Sequence, residues 1–263
     1  MKPGLIAKAG TALCAALAFV FPYYTTAAEP QYDRHGAICR LPDRQTRPVY
    51  LVISADSLFE GGQKILETLD RHKVKASFFF TGNFLRRTEN ETVIRKIINS
   101  GHYVGGHSDR HILLCDWSDS RNTLITPDSL MSDLTHNFQE LKRYGISIDS
   151  ASVFLPPFEW HNSETVKIMQ EYGLTPIALT PGILTYRDYT TPDMDEYRSS
   201  DEIIRQLFTY ETQHGLDGAI IIIHAGTQPS RTDKLYSRLD EIIKALELKE
   251  YRFQRFMDNK NRQ

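Results

Sequence analysis

Gly101-His102-Tyr103-Val104-Gly105-Gly106-His107-Ser108-Asp109-Arg110-His111 reads as a buried segment that ends in two histidines four residues apart. Two imidazoles at that spacing project from one face of a single helical turn, which suits a metal ion. The same placement recurs along the chain. Val49-Tyr50-Leu51-Val52-Ile53 is an apolar run with Asp56 just beyond it, and Ala219-Ile220-Ile221-Ile222-Ile223 runs into His224. Short apolar runs bounded by turn residues read as buried strands. Metal-competent side chains therefore stand where strands end, and in an α/β barrel that end carries the active site.

Working outward, residues 76–81 form a Phe-rich strand closed by Gly82-Asn83. Ile65, Leu66 and Leu69 mark one helix, and Val93, Ile94, Ile97 and Ile98 mark another. Thr126 followed by Pro127 is a helix start, an N-cap with proline in the first turn. Leu130, Leu134, Phe138 and Leu141 carry that helix to Gly145. Ser152-Val153-Phe154 is a short strand entering the rigid loop at Pro156-Pro157. Residues 164–172 read as helix and 175–179 as strand. A long loop follows over residues 180–197. Ser200 is expected to cap a helix carrying Ile203, Ile204, Leu207 and Phe208, and Leu235, Leu239, Ile242 and Leu246 stripe the last long helix. Residues 251–253 are placed to close the sheet. Strands alternating with helices predict a parallel sheet, and near-continuous apolar strands predict burial on both faces.

Residues 1–28 carry Lys2 and Lys8, an apolar stretch over 9–21 and Thr26-Ala27-Ala28, the pattern of a secretory signal peptide. The apolar stretch is too short to span a bilayer comfortably, and no other segment resembles a membrane span. Leu13 stands before Cys14 where a lipobox wants Gly or Ala, so the chain reads as exported, periplasmic or extracellular, rather than lipid-anchored. Residues 29–47 are polar and irregular and read as a lead-in. Residues 48–263 suffice for one catalytic barrel domain. A formal net charge of -2, with both signs interspersed, gives nucleic acid nothing to bind. Export permits Cys39 and Cys115 to pair, but sequence supplies no distance between them.

Each chemical residue has an ordinary reading when taken singly. A His-x-x-x-His pair occurs on solvated helices, Asp56 suits a turn, His224 suits a core, and Trp117 and Trp160 suit a core or a rim. Their shared placement at strand ends favours the chemical reading. Asp56, His107 and His111 would leave a divalent metal with open positions for water and substrate. Such a metal lowers the pKa of its water toward ~7 and polarises a carbonyl. His224, an imidazole that titrates near neutrality, could protonate a leaving atom.

The combination resembles the polysaccharide deacetylase family, carbohydrate esterase family four, which shares a nodulation-deacetylase homology domain. Lys64-Ile65-Leu66 through Val74-Lys75-Ala76-Ser77-Phe78-Phe79-Phe80-Thr81-Gly82-Asn83 carries the resemblance, with the stretch from Gly101 to His111, Phe154-Leu155-Pro156-Pro157-Phe158 and Ile220-Ile221-Ile222-Ile223-His224. The resemblance implies a distorted (β/α) barrel with about seven parallel strands. It also implies a bound divalent metal, most often Zn2+, and removal of N- or O-linked acetyl groups from a glycan. On this reading Asp56, His107 and His111 hold the metal and His224 is the general acid. Phe158, Trp160 and Trp117 wall the sugar, and Ile222 lines the pocket for the acetyl methyl.

Two linked departures stand out. The family's first motif, Thr-Phe-Asp-Asp-Gly, is here Ile53-Ser54-Ala55-Asp56-Ser57. Aligning Asp56 with the metal-binding Asp puts Ala55 at the catalytic base. A register shifted by one would instead put Asp56 at the Gly. Leu155 stands where the family has the Arg that orients the base. Glu159 appears in the same loop and is the candidate replacement base, and Asp188 is the candidate for tuning His224. The leading expectation is an exported metal-dependent hydrolase that removes acetyl groups from a carbohydrate. The alternatives are a catalytically weakened glycan binder and a hydrolase of a non-sugar amide on the same fold.

Overall fold

The computed structural model describes residues 29–43 and 45–256, so the expected signal peptide lies outside them. The described chain begins with an antiparallel hairpin, β1 (Gln31–Tyr32) and β2 (Ile38–Arg40). Seven strands then run mutually parallel: β3 (Pro48–Ala55), β4 (Ser77–Phe80), β5 (Tyr103–Gly106), β6 (Val153–Phe154), β7 (Thr175–Pro176), β8 (Ala219–His224) and β9 (Arg252–Gln254). The order across the curled sheet is β1-β2-β8-β3-β4-β5-β6-β7, with β9 beside the start of β3.

The two longest apolar runs lie at the centre. β3 and β8 pair in register from Val49 opposite Ala219 to Ser54 opposite His224. Leu51, Val52, Ile53 and residues 220–223 are all buried, as strands covered on both faces require. Phe78, Phe79 and Phe80 of β4 fill the next layer, where Phe80 stacks on Phe84 with ring centroids 4.6 Å apart.

The connecting helices are α1 (Gly62–Arg71), α2 (Gly82–Leu85), α3 (Glu91–Asn99), α4 (Pro127–Lys142), α5 (Ser163–Glu171), α6 (Ser200–His214) and α7 (Leu239–Leu248). α4 starts as its sequence signals: Thr126 Oγ1 accepts the Ser129 amide, with Pro127 in the first turn. The cap of α6 is Ser199 rather than Ser200. Ser199 Oγ accepts the Glu202 amide and Glu202 Oε2 accepts the Ser199 amide, a reciprocal capping box.

Residues 29–47 are more than a lead-in. β2 pairs with β8 at Arg40 and Ala219, and the Ala178 amide donates to Ile38 O at 2.8 Å just after β7. The hairpin thus fills the gap between β7 and β8 and joins the two ends of the curled sheet. Thr180 reinforces the seam, donating its hydroxyl to Cys39 O and accepting the Ile220 amide. The apolar stretch here, Ala37-Ile38-Cys39, is too short to reveal a strand by its pattern. Cys39 and Cys115 are both buried and unpaired. Among the described residues no helix is long and apolar enough to cross a membrane.

Candidate active site

A cleft of about 1170 Å³ opens over the C-terminal ends of β3, β5 and β8, and Asp56, His107, His111, Glu159 and His224 all line it. Asp56 follows β3 directly. Its Oδ1 accepts from Thr81 Oγ1 at 2.9 Å and Asn83 Nδ2 at 3.0 Å, which orients the carboxylate and leaves Oδ2 free of those bonds.

His107 and His111 are brought together, with ring centroids 4.9 Å apart, but not by a helical turn. The segment is irregular, and Ser108 and His111 adopt positive φ of 73° and 54°. Asp133 of α4, buried, shapes it: its carboxylate accepts from Ser108 Oγ at 2.7 Å and from the amides of Asp109 and Arg110. A buried carboxylate that collects three donors can fold a loop that has no regular hydrogen bonds of its own. Asn137 Oδ1 also accepts the His107 amide.

His107 is buried, and its Nδ1 donates to Leu155 O at 2.8 Å. That bond fixes the tautomer and leaves Nε2 as the lone-pair atom, the usual arrangement behind a metal-binding imidazole. Burial holds the His107 pKa well below the ordinary histidine value. Burial also lowers that of His111, partly offset by the Asp56 charge. Both rings are thus neutral at pH 7, as metal ligands must be.

The donor types therefore suit a divalent cation. As they stand, no three His, Cys, Asp or Glu side chains among the described residues converge closely enough to hold an ion. His111 Nε2 instead faces the Phe158 amide, at 3.4 Å. Coordination by all three residues would require His111 to release that amide.

His224 ends β8 and meets Asp188, which sits on a 3₁₀ turn, Thr185–Tyr189, in the long loop. Asp188 is fully buried. Its Oδ1 accepts from His224 Nδ1 at 2.6 Å and its Oδ2 accepts the His224 amide at 2.9 Å. Burial alone would lower the His224 pKa, but the charge and hydrogen bond of Asp188, with the charge of Glu159, push it up to about 9. Glu159 follows Phe158 in the loop after β6, and both have positive φ, 51° and 60°. This strained turn points the Glu159 carboxylate inward: Oε1 is buried and has no hydrogen-bond partner. Burial raises the Glu159 pKa above the ordinary carboxylate value against the lowering pull of His224.

One wall of the cleft is aromatic. Trp117 and Trp160 stack at 5.7 Å, and Phe158 packs edge-on against Trp117 at 5.5 Å and lies tilted against His111 at 4.2 Å. Trp117 is 56% exposed. Ile222 is not part of this surface. It is fully buried in β8 opposite Val52 and does not line the cleft. It shares a strand face with His224 but lies two residues deeper, roughly 7 Å below the strand end.

Ala55 lines the cleft and contributes no ionisable group there, and Leu155 is fully buried in the core. Several cleft residues escaped the sequence reading: Asp33 and His35 from the β1–β2 turn, and His161. Their segment looked like a lead-in, and His161 stands outside any strand-end pattern. Its position directly after Glu159-Trp160 was the available signal.

Residues 45–177 match the profile of the family described as polysaccharide deacetylase, half of the chain. This chain belongs to the polysaccharide deacetylase family. Within it, the chain is 27% identical over 230 residues to an uncharacterized 30.6 kDa protein of Geobacillus stearothermophilus, covering 86% of this chain and 75% of that protein. It is 28% identical over 119 residues to the peptidoglycan-N-acetylmuramic acid deacetylase PdaA of Bacillus subtilis, but that match spans 44% of this chain and 40% of the enzyme. The fold matches the CE4 family pseudoenzyme BA3943 of Bacillus anthracis with a TM-score of 0.63 at 21% identity, over 83% of this chain and 66% of that one. The α/β barrel and the divergent family membership both follow.

Proposed function

We propose that this polysaccharide deacetylase family member is an exported hydrolase that removes N- or O-linked acetyl groups from a glycan. The observation that carries the reading is the facing of two unlike groups in one cleft. His224 is held protonated by Asp188, and Glu159 turns an unpartnered carboxylate oxygen inward.

Glu159 takes the proton of the attacking water. Its burial makes it a stronger base than a solvated carboxylate. The water oxygen bonds to the acetyl carbon, and the bond from that carbon to the sugar nitrogen or oxygen breaks. His224 has Nδ1 engaged by Asp188, so Nε2 presents the proton that the leaving amine or alcohol receives. Acetate and the free sugar group result. A divalent metal, Zn2+ by donor preference, would be held by Asp56, His107 and His111 and would supply carbonyl polarisation and water activation. Phe158, Trp160 and Trp117 offer apolar faces to sugar rings.

A second reading rests on Ala55 and Leu155: the chain binds glycan and turns it over weakly. Acetate release from acetylated glycans by the wild type and by His224→Ala separates the two. Release that His224→Ala abolishes supports the hydrolase, and glycan binding without release supports the binder.

A further inference from the structure

The loop that leaves His224 turns back to hold the loop that carries Asp188. Arg231 lies in it and is fully buried. Its Nη1 donates to Thr190 O at 2.7 Å and its Nη2 to Arg198 O at 3.0 Å. The guanidinium also lies over the Tyr197 ring, 5.1 Å from the centroid. Both acceptors are backbone carbonyls, and they stand at the two ends of the segment 190–198. The planar fork of a guanidinium suits two fixed acceptors set apart in this way, whereas an ammonium is a single point charge. Asp233 adds a third tie, because its Oδ2 accepts the Ser200 amide at the start of α6. Thr190 follows directly on the 3₁₀ turn that bears Asp188, and its amide and hydroxyl both donate to Arg187 O.

A closed circuit results. The His224 ring donates to Asp188, the chain runs on to Thr190, Thr190 O receives Arg231, and the chain runs back from Arg231 to His224. Lys234 fixes the return path: its Nζ donates to Thr227 O, Gln228 O and Glu60 Oε1, and Glu60 Oε1 also accepts the Thr227 amide. Arg231 is not among the residues that line the cleft, so any effect on chemistry passes through others. A buried guanidinium is a costly way to fill space, and here Nε is buried with no hydrogen-bond partner among the described residues. What the side chain supplies in return is the fixed place of residues 190 and 198. We propose that Arg231 is a positioning residue for proton delivery: by holding the segment 190–198 it keeps Asp188 on His224. This rests on the acid role of His224 in the hydrolase reading, and it adds a residue outside the cleft on which that role depends.

The His224 amide reports the contact directly, because it donates to Asp188 Oδ2. Hydrogen exchange followed by NMR distinguishes local opening from a general loss of stability. The comparison sets Arg231→Met against Leu141→Ala, a truncation of a fully buried α4 residue outside this circuit. The His224 amide should exchange at least ten-fold faster in Arg231→Met and stay within three-fold of wild type in Leu141→Ala. Arg231→Lys, which keeps the charge but not the fork, takes the place of Arg231→Met if that variant does not fold. Equal acceleration in both variants makes Arg231 an ordinary contributor to stability and overturns the proposal, as does a His224 amide that loss of the fork leaves unchanged. In acetate release the same Arg231 variant should lower kcat at least ten-fold and leave KM within two-fold. A loss carried by KM alone also overturns the proposal. The exchange rates do not depend on turnover, so absence of acetate release by the wild type defeats the hydrolase reading alone.

Discussion

Asp188 grips His224 twice, through the ring Nδ1 at 2.6 Å and through the backbone amide at 2.9 Å. One carboxylate thus sets both the position and the protonation of the same residue. The amide bond locks where β8 ends, and the ring bond holds the imidazole with Nε2 free toward the cleft. The 3₁₀ turn of the long loop and the end of β8 are thereby tied at the point where a proton would be delivered.

The first expectation concerns pH. The folded pKa of His224 is raised to about 9 from 6.5. The stabilisation from this pair is therefore fully present below pH 6.5 and is lost as pH rises through about 9. Asp188→Asn should destabilise the protein more at pH 6.5 than at pH 10, measured by urea unfolding. If His224 is the acid, the alkaline limb of kcat for acetate release should fall near pH 9 in the wild type and shift downward in Asp188→Asn. An alkaline limb that does not move removes His224 from proton delivery.

Glu159 supplies the second. The base must be ionised, so activity should rise with pH through a value above the ordinary 4.5 of a glutamate. A positioned base contributes ~10²–10⁴-fold, and Glu159→Gln should lower kcat by at least two decades with metal content matched. An acid limb that persists in an active Glu159→Gln protein would belong to protonation of His107 and His111 instead.

Metal binding gives the third. His107→Ala and Asp56→Ala should each abolish stoichiometric Zn2+ uptake measured by calorimetry on metal-stripped protein. His nitrogens of a zinc site should lie at about 2.0–2.1 Å from the ion, and His111 should have left the Phe158 amide. Undiminished affinity in His107→Ala sinks the ligand assignment. Undiminished affinity in Asp56→Ala alone selects the shifted register of the first motif.

The sequence disclosed the barrel through its strongest periodicities. β3, β4 and β8 are uninterrupted apolar runs, and the Thr126-Pro127 cap announces α4. It did not disclose β1 and β2, because each is too short to carry a pattern and the pairing of β2 with β8 is made by distant residues. The site was legible where it is local to a strand end: Asp56, His107 and His224. The loop that carries His111 was misjudged as a helical turn, because Asp133 on α4 folds it from outside. Asp188 lies 36 positions before its partner; the family resemblance offered it as the residue that tunes His224, and the fold supplies the contact. Ile222 was offered for the acetyl pocket by the resemblance alone, and it lies buried in β8 beneath the cleft.

The missing base can be tested by restoring it. Leu155→Arg alone buries a guanidinium in a core position that is fully inaccessible to water. An unpaired buried charge of this kind costs about 3–5 kcal/mol, so the single variant should unfold at markedly lower urea. Adding Ala55→Asp, on a cleft-lining residue, should recover part of that loss if the two new side chains pair. The same background decides what Glu159 does. In the parent, Glu159→Gln should cost two decades or more. In Ala55→Asp/Leu155→Arg, a second base is present and the same substitution should cost less than ten-fold. Such non-additivity is the signature of two residues sharing one role. A full two-decade loss in both backgrounds would show that Glu159 acts at a step the family's Asp does not serve.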